Sequence, residues 1–211
     1  MLKNKFDSCF RILIYIIWIF LLFVGFYDLF INPYRSIVWF GSFLASVIFY
    51  LKFQNIPPIT HLLLGIVFVL NVFGEHFFEF YYIYDTSQNF YTSNYDKILH
   101  FINPIIVAFF FYSLLKPRIK DKKNLLYSSI LATISLSILW EILEFLFDNY
   151  LGVLMQGVFL VDSQEGHFFN FGLILNPLAD TMIDMALALA SMIVFWAIIY
   201  LYVDKKELKL R

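Results

Sequence analysis

Three stretches of this 211-residue chain set ionisable side chains one helical turn apart within otherwise apolar sequence. Asp96 and His100 are four residues apart; Glu141, Glu144 and Asp148 follow at spacings of three and four; Asp180 and Asp184 are again four apart. On an α-helix such spacings put the groups of each stretch on one face. A fourth set, Glu75, His76 and Glu79, precedes a polar stretch running from Asp85 to Asn94. An imidazole gathered with carboxylates offers ligands for a hard or borderline divalent cation such as Mg²⁺, Mn²⁺, Ca²⁺ or Zn²⁺. A cation held in this way activates water or polarises an ester or phosphoryl oxygen. Without one, so many neighbouring carboxylates cannot all stay ionised. They share protons and titrate as a set, which is the raw material of a proton relay or cation pathway. The plainer alternative is that the groups only staple helices together.

Depth sharpens the choice. At about 1.5 Å per residue, Glu141 lies roughly 10 Å deeper along its helix than Asp148. An ionised carboxylate facing lipid there costs several kcal/mol, so these side chains must face a protein interior. On this reading the candidate catalytic groups are Glu141, Glu144 and Asp96. The candidate metal ligands are His100, Asp180, Asp184 and, again, Glu144. Thr181 adjoins Asp180 but completes no Ser/His/Asp arrangement. There is no glycine-rich phosphate loop, and a site that gripped phosphate directly would want several Arg or Lys. Only Arg35 and Lys97 are available on that side, so phosphate chemistry would have to run through a metal. Blander roles suit the neighbours. Lys97 is expected to snorkel to the interface, Trp140 and Phe145 to pack, His61 to bond locally, and Glu165 and His167 to be solvated.

The elements that position these groups follow from composition. Hydrophobic residues make up 61% of the chain and charged residues 15%. A soluble domain of this length could not bury that much apolar surface, so lipid must cover it. A net charge of −1 argues against nucleic-acid binding. The single cysteine, Cys9, excludes an internal disulfide and a cysteine-based zinc site, and reads as a small core residue. Lys3 and Lys5 precede an apolar run too long for a signal peptide, with no small-residue cleavage site after it, so the run reads as a retained span.

A crossing needs about 20 mostly apolar residues. Six segments qualify, at about 9–31, 36–53, 57–82, 96–115, 124–150 and 178–203, in a single membrane domain covering 1–211. A glycine-containing outer loop lies at 151–177. The expected fold is an all-α, polytopic transmembrane bundle of about six helices, its N- and C-termini cytoplasmic and its main partner the lipid bilayer. With that orientation 13 of the 15 basic residues fall inside, as the positive-inside rule asks, and 12 of the 16 acidic residues fall outside or in the outer halves of helices.

Four motifs carry a family resemblance: Asn94-Tyr95-Asp96-Lys97-Ile98-Leu99-His100-Phe101, Trp140-Glu141-Ile142-Leu143-Glu144-Phe145, Gln156-Gly157, and Asp180-Thr181 through Asp184-Met185. In order and spacing they resemble the YjdF-type family of bacterial and archaeal inner-membrane proteins, over roughly residues 60–200. The Asp-Lys-x-x-His-Phe element is more loosely similar to the VanZ-like membrane family, associated with glycopeptide resistance. The first resemblance implies about six spans in the plasma (inner) membrane. It adds Gln156, Gly157 and Thr181 to the polar positions, with Gln156 and Thr181 as binding residues, and implies no activity. The family's step from Gln-Gly to Asp-Thr is short and often has Trp before the Asp. Here about 22 residues intervene and Ala179 precedes Asp180, so residues 158–177 read as an outer lid or re-entrant loop.

Three functions are consistent with these residues. The leading one is a metal-assisted enzyme acting on a lipid or envelope precursor. Proton- or cation-coupled transport is the second, and a non-catalytic membrane scaffold the third.

Overall fold

Long apolar runs broken by proline and polar turns leave the backbone one economical solution in lipid, which is to satisfy its own hydrogen bonds as helices. The computed structural model describes residues 2–31, 33–78, 86–151 and 177–201, and every element among them is helical. The helices are α1 (Leu2–Ile31), α2 (Pro33–Lys52), α3 (Pro58–Phe78), α4 (Thr86–Leu115), α5 (Lys122–Leu151) and α6 (Pro177–Ile199). Three of them open on proline, whose missing N–H costs nothing in a first turn. Asp121 caps α5, its carboxylate accepting the Asn124 N–H at 2.8 Å. Four segments are long and apolar enough to cross a bilayer: Phe6–Ile31, Tyr95–Leu115, Lys122–Phe147 and Leu178–Ile199. The apolar parts of α2 and α3 are shorter, at Ser36–Lys52 and Pro58–Phe73 among the described residues. α4 begins ahead of its apolar part, taking in much of the polar stretch before Tyr95.

The chain divides into two compact units, Met1–Phe77 and Phe78–Arg211. In the first, Leu21, Trp39 and Val72 form the buried centre, with Ile17, Val24, Phe43 and Val69 against it. Gly25 sets how closely α1 and α2 approach. A Cβ there would stand 3.0 Å from the Phe40 ring and 3.2 Å from the Trp39 Cβ. Indole N–H groups in so apolar a setting need acceptors. Trp39 donates to the buried Asp28 carboxylate at 2.8 Å, and Trp18 to the Ser46 hydroxyl at 2.9 Å. His61 bonds the Phe53 carbonyl at 3.0 Å, the local role expected of it. Cys9 differs from expectation. It lies exposed on α1, because the outer face of a membrane helix is as apolar as its core and a small thiol is tolerated on either.

In the second unit, Ala108 of α4 and Met192, Phe195 and Ile199 of α6 are the buried centre, covered by Phe109, Tyr112, Leu126, Ile130 and Ile134. Phe195 meets Phe109 edge-to-face at 5.0 Å. On α5, Ser129 and Thr133 are buried, and their hydroxyls donate to the carbonyls of Leu125 and Ser129 four residues earlier. Each hydroxyl is satisfied within its own helix, so small side chains face the neighbours without polar groups left over. This apolar packing occupies one end of the unit. His100 lies about 12 Å along α4 from Ala108, and the polar groups gather towards that other end.

Candidate functional site

The site draws on the start of the apolar part of α4, the end of α5 and the start of α6, all within the second unit. Helical spacing aligns Asp96 with His100 on α4, Glu141 with Glu144 on α5, and Asp180 with Asp184 on α6. Glu141, Glu144, Asp180 and Asp184 are all buried. The interhelical contacts follow from what each charge needs once water is removed.

Lys97 is the hub. Its ammonium donates to Asp96 Oδ2 at 2.9 Å, Asp180 Oδ1 at 2.5 Å and Asp184 Oδ2 at 2.7 Å. One ammonium thus uses its three N–H donors on three carboxylates from two helices. The snorkelling expected of Lys97 does not occur. Two aspartates on the facing turn of α6 demand a counter-charge, and Lys97 is the sole Lys or Arg within Tyr95–Leu115. That pairing of a lone cation with two buried acids was the sequence signal that could have placed it.

His100 is the second node. Its Nε2 lies 3.4 Å from Asp96 Oδ1, and its Nδ1 lies 3.4 Å from Glu141 Oε1 and 4.0 Å from Asp184 Oδ1. These separations exceed those of well-formed N–H···O bonds, about 2.7–3.2 Å. Two sets each offer ligand atoms lying within 4.8 Å of one another: Asp96, His100 and Asp184, and His100, Glu141 and Glu144. Asp180 stands in neither set and meets Lys97 instead. Thr181 hydrogen-bonds Glu141 across the α5–α6 seam. Trp140 and Phe145, expected to pack, are exposed, as lipid-facing side chains of α5 can be. Pro104 sits inside α4, four residues after His100. Lacking an N–H, it leaves the His100 carbonyl without its usual helical donor, beside the site.

The sequence candidates therefore divide. Asp96, His100, Glu141, Glu144, Asp180, Thr181 and Asp184 come together. Gln156, Gly157, Glu79, Glu165, His167 and the 158–177 segment up to residue 176 lie outside the described residues, as do the side chains of Glu75, His76 and Asp148.

The formal charge is unbalanced. Among the described residues, the cations that Asp96, Asp180, Asp184, Glu141 and Glu144 meet are Lys97 and His100. Among these seven groups even a charged imidazole leaves three carboxylates over, a remainder that protons or a cation would neutralise.

Fold and site together define a helical membrane protein whose interior carries a polar, ion-paired cluster. A family model described as "Predicted membrane protein (DUF2238)" matches residues 8–205, and the chain belongs to that family, the YjdF-type group. The chain is also similar to an uncharacterized protein of Thermotoga maritima, 34% identical over 119 residues, covering 54% of this chain and 57% of that one. The match thus spans little more than half the length of that relative. No solved structure matches.

Proposed function

We propose that this is a multi-pass protein of the plasma membrane, its termini cytoplasmic, that holds a divalent cation between His100, Glu141 and Glu144. On this reading the cation serves hydrolysis or group transfer on a lipid or envelope precursor at the non-cytoplasmic face. The observation that carries it is the 3.4 Å between His100 Nδ1 and Glu141 Oε1. That gap is long for a hydrogen bond. It suits two ligands about 2.0–2.1 Å from one tetrahedral ion, whose donor atoms stand about 3.4 Å apart. Asp184 Oδ1 lies 4.0 Å from the same nitrogen and joins His100 and Asp96 in the adjoining ligand set. Asp96 on the other ring nitrogen plays the part of the outer carboxylate that orients a metal-bound imidazole. One imidazole among carboxylates favours Zn²⁺ or Mn²⁺ over Ca²⁺. Thr181 steadies Glu141 from α6. Burial of the acids within the spans suits a substrate that reaches the site with its tail in lipid.

Elemental analysis of the purified chain tests this directly, together with thermal unfolding in detergent across a Mn²⁺ or Zn²⁺ titration. Stoichiometric metal is expected, with stabilisation of about 2.7 kcal/mol at a hundredfold excess over Kd. The stabilisation should vanish in His100→Ala and Glu144→Gln. Absence of both metal and stabilisation sinks the reading. A C-terminal reporter active only in the cytoplasm tests the orientation.

The tripod around Lys97 favours proton- or cation-coupled transport as the second reading, since an ion-paired lysine among acids inside spans is a natural relay. It requires that Glu141→Gln or Glu144→Gln alter pH-dependent uptake in proteoliposomes. Unchanged uptake removes its support.

A further inference from the structure

We infer that Lys97 is the tethered occupant of a second cation position, and that its ammonium limits the pocket to one divalent ion. The inference rests on the divalent site proposed above for its count of ions, though not for its geometry.

Lys97 Nζ lies 2.5–2.9 Å from one oxygen each of Asp96, Asp180 and Asp184. Three carboxylate oxygens from two helices converging on one point form the ligand face that a hard cation uses. An ammonium, with three N–H donors on one atom, fills such a point with a donor for each oxygen. A lysine needed only to balance charge would be served by one or two of these contacts. The third, across to Asp180 at the first turn of α6, completes the cradle.

Two of the three aspartates also look the other way. Asp96 presents Oδ1 to His100 Nε2 at 3.4 Å, and Asp184 presents Oδ1 towards Nδ1 at 4.0 Å. Asp184 is fully buried, and that oxygen accepts no hydrogen bond among the described residues. It is therefore a donor atom aimed into the His100 side, held there because Lys97 fixes the carboxylate by its other oxygen. The pocket thus has two adjoining cation positions that share Asp184. One is filled permanently by the chain itself; the other faces His100, Glu141 and Glu144. Permanent occupation blocks a second divalent ion and keeps Asp184 turned towards the first.

The test uses the full chain in detergent micelles with Mn²⁺ alone, bound ion being counted by elemental analysis and spin resonance after dialysis. Wild type and Lys97→Arg are expected to hold one Mn²⁺ per chain. Lys97→Met is expected to hold two, falling back to one when Glu144→Gln is added. If Lys97→Met does not fold, Lys97→Gln, polar but uncharged and shorter, must give the same doubling. A Lys97→Met or Lys97→Gln protein that holds no more Mn²⁺ than wild type overturns the inference. So does failure of both variants to fold with Mn²⁺ present, since an opened cradle is stabilised by the ion that fills it. Wild type with none and Lys97→Met with one would refute the divalent site while upholding the cradle. One in each would do the reverse.

Discussion

The ion pair between Lys97 and Asp180 can be measured as a coupling energy, and the geometry sets its scale. At 2.5 Å and an effective dielectric near 20, the bare attraction is about 7 kcal/mol. Desolvation of the two ions offsets much of this, at several kcal/mol each. Removing the ammonium leaves Asp180 and Asp184 buried without their counter-charge, so Lys97→Met should destabilise the chain by about 3–5 kcal/mol in the presence of chelator. Asp180→Asn is milder. The amide oxygen still accepts from Nζ, and Lys97 keeps Asp96 and Asp184, so about 1–2 kcal/mol is expected. In the double variant the orphaned charge on Asp180 no longer exists, and its cost should fall short of the sum by about 1–3 kcal/mol. Equilibrium unfolding in mixed micelles, followed by tryptophan fluorescence, reads all four corners of the cycle. Additivity within about 0.5 kcal/mol would refute the claim that the two groups are paired inside the unit.

Other consequences are separable. Asp96→Asn replaces the carboxylate behind His100 by a neutral amide, and should weaken Mn²⁺ binding about 10–100-fold in a titration, while leaving its stoichiometry intact. Trp39→Phe keeps the ring in the α1–α2 core but removes the donor to buried Asp28. It should cost about 1–3 kcal/mol on unfolding, with Asp28→Asn/Trp39→Phe recovering part of that. Phe195→Ala opens a void at the centre of the second unit. Because the unfolded reference in lipid is also apolar, the transfer contribution is lost, and the cost should sit at or below the lower end of the 3–5 kcal/mol typical of water-soluble cores.

How much of this was legible along the chain depends on whether a feature is local. Hydropathy marks the helices because an unbonded peptide group in hydrocarbon is intolerable whatever the partner helix. The α2 to α6 starts at Pro33, Pro58, Thr86, Lys122 and Pro177 fall near proline or polar turns for the same reason. The pairing of Asp96 with His100, Glu141 with Glu144, and Asp180 with Asp184 on common faces is a property of helical pitch alone. Depth within an apolar run was enough to require that these acids look inward.

Rotation of one helix against another is not written in any single segment, and that is where the tertiary structure decided. Lys97 read as a residue reaching for the interface because its own helix gives it an easy way out. It turns inward only because α6 brings Asp180 and Asp184 opposite it, and attraction between charges out of water outweighs the freedom of an exposed side chain. The same packing separated acids that look equivalent along the chain, handing Asp180 to the lysine and Glu141 and Glu144 to the histidine, with Asp184 between them. Trp140 and Phe145 went the other way, out to lipid, since an apolar ring loses little there and the inner face of α5 was already taken by its small and acidic residues. Pitch and burial, which are local, were determined by the order of residues; the choice of partner for each charge came only with the third dimension.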